Sequence, residues 1–389
     1  MVEVEGRVGD QTAARASWVR LLLALTVLHA LNDFYGLLLP PLLPALREAL
    51  NLSYTQLGVI PFVGTAVSSL LQPTLGYLAD RRRTRRASLI AGFGGYIVAM
   101  VWLSGANSYA LVLVGAAILG VASSTYHPQS ATYIVHGFPS NRGFAMGIHG
   151  LGNTAGFLAA PIVITMLLPT IGLSQTLLVL ALPAAIAIVL CAIAIKEPAE
   201  RGAHGMFAGI TGPVVLLTIV HGVGGAAALG FLTWLPSYYG YLEYSLPQAG
   251  LLTAVMVASG AIAQPLGGVI SDRLSRRSVL IAALVGVALF QGAFVFTTWL
   301  PAMIVLSIAA GFAGAFLGPV VLAYAGELAR GGRTGTSVGF VWGIGISVAS
   351  LAPLVSGAMI DAYGFGVSYL ALAALAVFAA ALGLRLPRS

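Results

Sequence analysis

Few side chains in this 389-residue sequence can do chemistry, and those few are grouped. His29, Asn32, Asp33 and Tyr35 sit together in a long apolar run, and His29 and Asp33, four apart, share one face of a helix. Ser123 to Ser130 reads Ser-Ser-Thr-Tyr-His-Pro-Gln-Ser. It sets His127 and Gln129 on either side of Pro128, which cannot donate to a helix ladder and kinks it. His149 and Asn153 are again four apart, within a glycine-rich run whose Gly143, Gly147 and Gly152 suit a packing face. The second half offers His221, Trp234, Tyr238 and Tyr239, then Tyr324, Glu327, Arg330 and Arg333, then Trp342 with Gly343 and Gly345. Asp33 would bind and release a proton, and the imidazoles would relay protons or hold an anion. Asn32, Tyr35, His127, Gln129, His149, Asn153, His221, Tyr238, Tyr324 and Trp342 are candidates to touch a bound small molecule. Hydrolytic chemistry is poorly served. There is no His-Glu-x-x-His helix and no Gly-x-x-x-x-Gly-Lys-Ser/Thr loop, and Asp33 has no second deep acid to work against. The single cysteine, Cys191, allows neither an internal disulfide nor a cysteine metal site. No metal or organic cofactor is expected, and the chain is not expected to be an enzyme.

The bulk composition says where these groups lie. Hydrophobic residues make up 58% and charged residues 8%, against about 25% charged in a soluble domain. So few charges cannot cover a water-soluble globule, which excludes a soluble enzyme, a nucleic-acid-binding module and a disordered chain. Nucleic acid needs a solvated basic face, and the net charge of +7 is better spent on membrane topology. The polar segment Met1 to Ser17 does not resemble a cleaved signal peptide.

The spacing predicts twelve membrane helices, over 17–45, 53–79, 87–104, 109–137, 142–168, 173–195, 210–240, 245–271, 278–297, 301–329, 335–362 and 366–385. All basic residues but Arg47 then fall in the even-numbered connections and the two tails, which puts both termini in the cytoplasm. Asp33 lies about 24 Å along the first helix, past the membrane middle. It is the leading proton-coupling candidate, with His29 beside it; a structural hydrogen bond to a neighbouring helix is the other reading. His149 is open between packing and binding. Trp234, Tyr238 and Tyr239 suit an interfacial belt better than a cavity rim. Glu327 and Arg330, three apart near the cytoplasmic surface, suit a structural charge lock, and Asp361 is expected to be exposed at the outer end.

The two halves align without a gap at an offset of 192 residues. His29 falls on His221, Gln56 and Gly58 on Gln248 and Gly250, and Pro161 on Pro353. Gly76, Asp80 and Arg81 fall on Gly268, Asp272 and Arg273. Two parallel six-helix bundles, 1–195 and 210–389, joined by a cytoplasmic linker 196–209, are expected. In each repeated loop a glycine admits a neighbouring helix, an acid sits by a helix N-terminus and arginines grip lipid phosphates. With Glu327 and Arg333 they are candidates for a conformational latch.

Four stretches carry a family resemblance: His29-Ala-Leu-Asn-Asp33, Ser68-Ser-Leu-Leu-Gln-Pro-Thr-Leu-Gly-Tyr77, Gly120-Val-Ala-Ser-Ser-Thr-Tyr-His-Pro128 and Ala323-Tyr-Ala-Gly-Glu-Leu328. With the repeated loop, they resemble the fosmidomycin-resistance branch of the major facilitator superfamily. The resemblance implies an all-α membrane protein of two pseudo-symmetric six-helix bundles. It also implies a secondary transporter that exports a drug-like or anionic compound against protons, as a monomer in the cell membrane. Two departures fall at cavity positions. Gln129 follows the His-Pro where relatives tend to have Glu, and Gly150-Leu-Gly-Asn153 stands where they tend to have Gln-Val-Gly-Gly-Asn. Uptake of an organic anion or metabolite fits the same fold, because the fold does not set direction.

Overall fold

In a computed structural model the chain is described over residues 2–138, 142–197, 210–329 and 334–388, and among these residues it is all helix and connections. The helices are α1 (Val2–Gly36), α2 (Leu39–Leu50), α3 (Tyr54–Arg82), α4 (Arg85–Ser104), α5 (Tyr109–Ser123), α6 (Tyr126–Gly137), α7 (Arg142–Val179) and α8 (Ala181–Ala194) in the first half. The second half has α9 (Gly212–Tyr241), α10 (Leu246–Arg273), α11 (Arg276–Phe294), α12 (Leu300–Leu328), α13 (Thr334–Ala349) and α14 (Leu351–Gly383). Ten stretches are long and apolar enough to cross a membrane. Ile186, Ile193, Val305 and Phe378 are among the apolar side chains they turn outward, where lipid is the solvent.

Proline and glycine set the breaks. The first expected helix is two, because Pro40 and Pro41 open α2 after a short turn at Leu37 and Leu38. The fourth is also two. Pro128 excludes a helical carbonyl four residues earlier, and the chain breaks at Ser124 and Thr125. Two apolar stretches, Ala145–Ala194 and Ser337–Gly383, run 50 and 47 residues, against about 20 for one crossing. Each is interrupted by a glycine in the left-handed region, Gly172 (φ 77°) and Gly364 (φ 80°), a conformation that an L side chain resists. These glycines are 192 residues apart, the offset of the repeat.

The same offset relates other details. Ser53 and Gln56 form a capping box at the start of α3, with Gln56 N 3.2 Å from Ser53 Oγ and Ser53 N 3.0 Å from Gln56 Oε1. Ser245 and Gln248 repeat the box on α10. Where α3 meets α14, Gly58 lies against the Pro353 carbonyl; where α10 meets α7, Gly250 lies against the Pro161 carbonyl and Thr165. No Cβ fits at either place. The two halves therefore clasp each other at the end opposite the arginine-rich loops. Asp361 adds a contact on one side only: its carboxylate accepts Tyr54 N (2.9 Å), Thr55 N (2.7 Å) and Thr55 Oγ1 (2.6 Å). It is exposed, as expected, yet it caps α3 from the other half.

At the arginine-rich end no comparable glycine contact joins the halves among the described residues. A methyl group added at Gly147, Gly268 or Gly339 would meet no neighbour. Gly76 packs on Pro128 of its own half, and Arg81 and Arg273 are exposed. Asp272 pairs with Arg276 (2.8 Å), whose Nε reaches Glu327 at 2.5 Å. Among the described residues this lock joins α10, α11 and α12 and so braces the second half internally. The side chain of Asp80, together with Arg330, Arg333 and linker residues 198–209, lies outside the described residues.

The clasp makes a prediction. Gly58→Val forces a side chain into the Pro353 backbone and should drive the halves apart at that end. Spin labels at Glu48 and Tyr363, both exposed, should show one short distance in the parent protein and an added longer population in the variant. Asp361→Ala, the milder change, should move the distribution in the same direction. An unchanged distribution in both would contradict the clasp.

Candidate functional site

Six of the polar residues singled out in the sequence, His29, Asn32, Asp33, His127, His149 and Asn153, converge from α1, α6 and α7, and α1 supplies the centre. Asp33 is buried (3% exposed) among apolar neighbours, where a carboxylate stripped of partners costs about 3–5 kcal/mol. It has four. Asn32 Nδ2 donates to Oδ1 at 2.7 Å, and Asn153 Nδ2 from α7 donates to Oδ2. His29 Nε2 lies 3.2 Å from Oδ2, and His127 Nε2 from α6 lies 3.6 Å from Oδ1. Tyr96 of α4 donates to Asn32 Oδ1 at 2.9 Å, which turns the Asn32 amide so that its nitrogen faces Asp33.

The orientation of His29 is fixed from behind. Its Nδ1 is 2.8 Å from the carbonyl oxygen of His149. A carbonyl only accepts, so Nδ1 carries a proton and Nε2 is the nitrogen that faces the carboxylate. A bare Nε2 lone pair and a carboxylate oxygen would repel at 3.2 Å, so the contact holds a proton between them. The His149 ring stacks on His29 with centroids 4.1 Å apart and keeps the imidazole in plane. The helices can come this close because Gly152 and Gly156 of α7 lie against the α1 backbone. His127 is the outward member: its side chain is 36% exposed, against 10% for His29. One carboxylate and two imidazoles thus form a coupled proton site with one edge open. His29, Asp33 and His127 bring donor atoms within 4.8 Å of one another, the one such group of possible metal ligands among the described residues. The two amides already hold the carboxylate, so the arrangement reads as a hydrogen-bonded proton site.

Other expected residues lie elsewhere. Tyr35 donates to the Leu180 carbonyl at 2.5 Å and stacks on Tyr96, packed inside the first half. Gln129 is fully buried, with no hydrogen-bond partner for its amide. Tyr238 packs with Phe294, Phe365 and Tyr369 inside the second half, and Trp234 donates to Ser356 Oγ at 2.8 Å. Tyr324 donates to the Pro387 carbonyl near the end of the chain. His221 and Trp342 do meet, stacked with centroids 5.3 Å apart. Sequence reasoning passed over Tyr96 and the Ser69–Ser347 hydrogen bond (2.8 Å) that links α3 to α13. A tyrosine in the middle of an apolar span was the available signal for the first. For the second there was none.

The family model of the major facilitator superfamily matches residues 22–247 and 214–389. The chain belongs to the major facilitator superfamily. A transporter of Bacillus subtilis, YfnC, is 27% identical over 378 residues, covering 92% of this chain and 90% of its own. The fosmidomycin resistance protein of Escherichia coli is 28% identical over 375 residues, again covering 92% of this chain and 90% of its own. The crystal structure of the nucleoside transporter NupG superposes with a TM-score of 0.79 at 14% identity, covering 94% of this chain and 98% of that one. As a member of this superfamily the protein is a multi-pass transporter of the cell membrane and not an enzyme.

The exposure gradient across the three imidazoles is testable. Diethylpyrocarbonate should modify His127 well before His29 or His149, as read by mass spectrometry of the folded protein. Equal modification of His127 and His149 would contradict the geometry.

Proposed function

We propose that the protein is a proton-coupled exporter that exchanges protons for a small drug-like or anionic compound by alternating access. The observation that carries this is the buried carboxylate–imidazole site with one edge open at His127. Among the described residues its carboxylate stands alone at that depth. Asp272 and Glu327 are bound to Arg276 at the arginine-rich end, and Asp361 caps α3 at the other. A lone acid bracketed by imidazoles is a natural place to hold a coupling proton. Similarity to the fosmidomycin resistance protein supports export. No cofactor takes part; the proton gradient is the energy source. The protein works as a monomer in contact with lipid and binds no nucleic acid.

In this reading the two long stretches broken at Gly172 and Gly364 each cross twice, which makes twelve spans. Both termini and the arginine-rich loops are cytoplasmic, and the clasped end is the outer one. The form described is open to the cytoplasm. Residues 1–195 and 210–389 are the rocking bundles, and 196–209 joins them. A proton enters the Asp33 site from outside, the bundles rock, the proton leaves to the cytoplasm and cargo loads near His127. Asn32, His149 and Asn153 hold the proton site in shape.

The test is proton movement in proteoliposomes, read with a pH-sensitive dye while a compound panel that includes fosmidomycin is added. A compound-triggered flux should vanish in Asp33→Asn, whereas counterflow of the same compound should persist. Loss of both together would return Asp33 to a binding or structural role. Accumulation of the compound with the proton, instead of depletion against it, would establish uptake.

A further inference from the structure

The two halves share a backbone but have divided their chemistry. His221 occupies the repeat position of His29, and its Nδ1 lies 3.1 Å from the Val341 carbonyl, as His29 Nδ1 lies 2.8 Å from that of His149. Each pair is separated by 120 residues. Beyond that contact the resemblance ends. Gly225 stands where the first half has Asp33, Gly345 where it has Asn153, Gly318 where it has Tyr126 and Pro319 where it has His127. Apart from His29, which His221 repeats, the groups of the proton site are replaced by residues without a polar side chain. In exchange, Trp342 takes the position of Gly150.

The substitution leaves a particular shape and chemistry. The His221 ring packs against Gly345 so closely that a Cβ there would overlap its Nδ1. The Trp342 indole also stacks on that imidazole, 21° from parallel. A methyl group at Gly318 would meet only the tip of Trp342, at 3.8 Å. Trp342 is half-buried, one turn from Ser347, whose hydroxyl binds Ser69 where the halves meet. Since His221 Nδ1 donates to a carbonyl and Gly225 stands at the position of Asp33, its Nε2 is an acceptor with no hydrogen-bond partner among the described residues.

We propose that His221, Trp342 and the space over Gly318 form a second cargo subsite, for a flat apolar group that carries an O–H or N–H donor. The indole face stacks on the ring, and His221 Nε2 accepts the donor. This rests on the transport reading above and adds the class of cargo: planar at the end held by the second half, polar at the end that faces His127.

The experiment is calorimetric titration of the purified full-length protein with 6-hydroxy-2-naphthoate and with its 6-methoxy ether, which has lost the donor. The hydroxy compound should bind more tightly than the ether. Trp342→Ala should weaken both by about tenfold, and Trp342→Phe should restore most of the loss. His221→Phe should erase the preference for the hydroxyl while keeping ring affinity. Equal binding by the parent protein and Trp342→Ala, or no binding of either naphthoate to the parent protein, would overturn the subsite. Binding needs no proton flux, so the two readings fail separately. Asp33-dependent flux of a non-aromatic compound, untouched by Trp342→Ala, would sink the subsite and leave proton coupling standing. Trp342-dependent binding without proton flux would do the reverse.

Discussion

Everything else in this protein is arranged around one carboxylate that must sit in a low-dielectric interior without being left alone. Asp33 is tolerable there because two amides donate to it, His29 holds a proton against it and His127 stands 3.6 Å away. Each partner has its own support. Tyr96 turns Asn32, the carbonyl of His149 turns His29, and Gly152 and Gly156 bring α7 close enough for Asn153 to reach. The break before Pro128 turns the start of α6 so that His127 meets the same site with one edge free. The local irregularities of the first half therefore serve a single charge.

The second half solves a different problem with the same backbone. It keeps the imidazole-to-carbonyl contact at His221 but carries glycine at the positions of Asp33 and Asn153. What the repeat preserves most faithfully is mechanical. The capping boxes at Ser53 and Ser245, the breaks at Gly172 and Gly364, and the reciprocal packing of Gly58 on Pro353 and Gly250 on Pro161 all recur at one offset. The proposed rocking of the bundles needs matched bearing surfaces, and close glycine contacts separate without leaving large side chains exposed. Asp361 breaks that symmetry, a polar contact laid over an apolar hinge.

Much of this could be read in the sequence, for identifiable reasons. Composition and the one-sided distribution of arginine are consequences of the bilayer as solvent, so they survive without coordinates. The grouping of His29, Asp33, His127, His149 and Asn153 was visible because polar residues in apolar runs stand out. Helical spacing joined them only in pairs, and the convergence of α1, α6 and α7 is tertiary. Spacing also set Tyr35, Gln129, Tyr238 and Tyr324 beside them, and each faces the interior of its own half or the chain end. The sequence pairs Glu327 with Arg330, which lies outside the described residues; among those described, Arg276 reaches Glu327 across 51 positions of sequence. Asp361 is exposed at the outer end, as the sequence implies, but its partners, Tyr54 and Thr55, lie more than 300 residues earlier in the chain, where no spacing points to them.

The central claim is that protonation of the Asp33 site biases the clasp between the halves. It is tested most directly without any cargo, by measuring the distance between spin labels at Glu48 and Tyr363 across a pH series, in the parent protein and in Asp33→Asn. We expect the parent distribution to shift between short and long populations with pH and the Asp33→Asn distribution to stay fixed. A parent distribution that does not move with pH, or one that moves equally in both proteins, would contradict it.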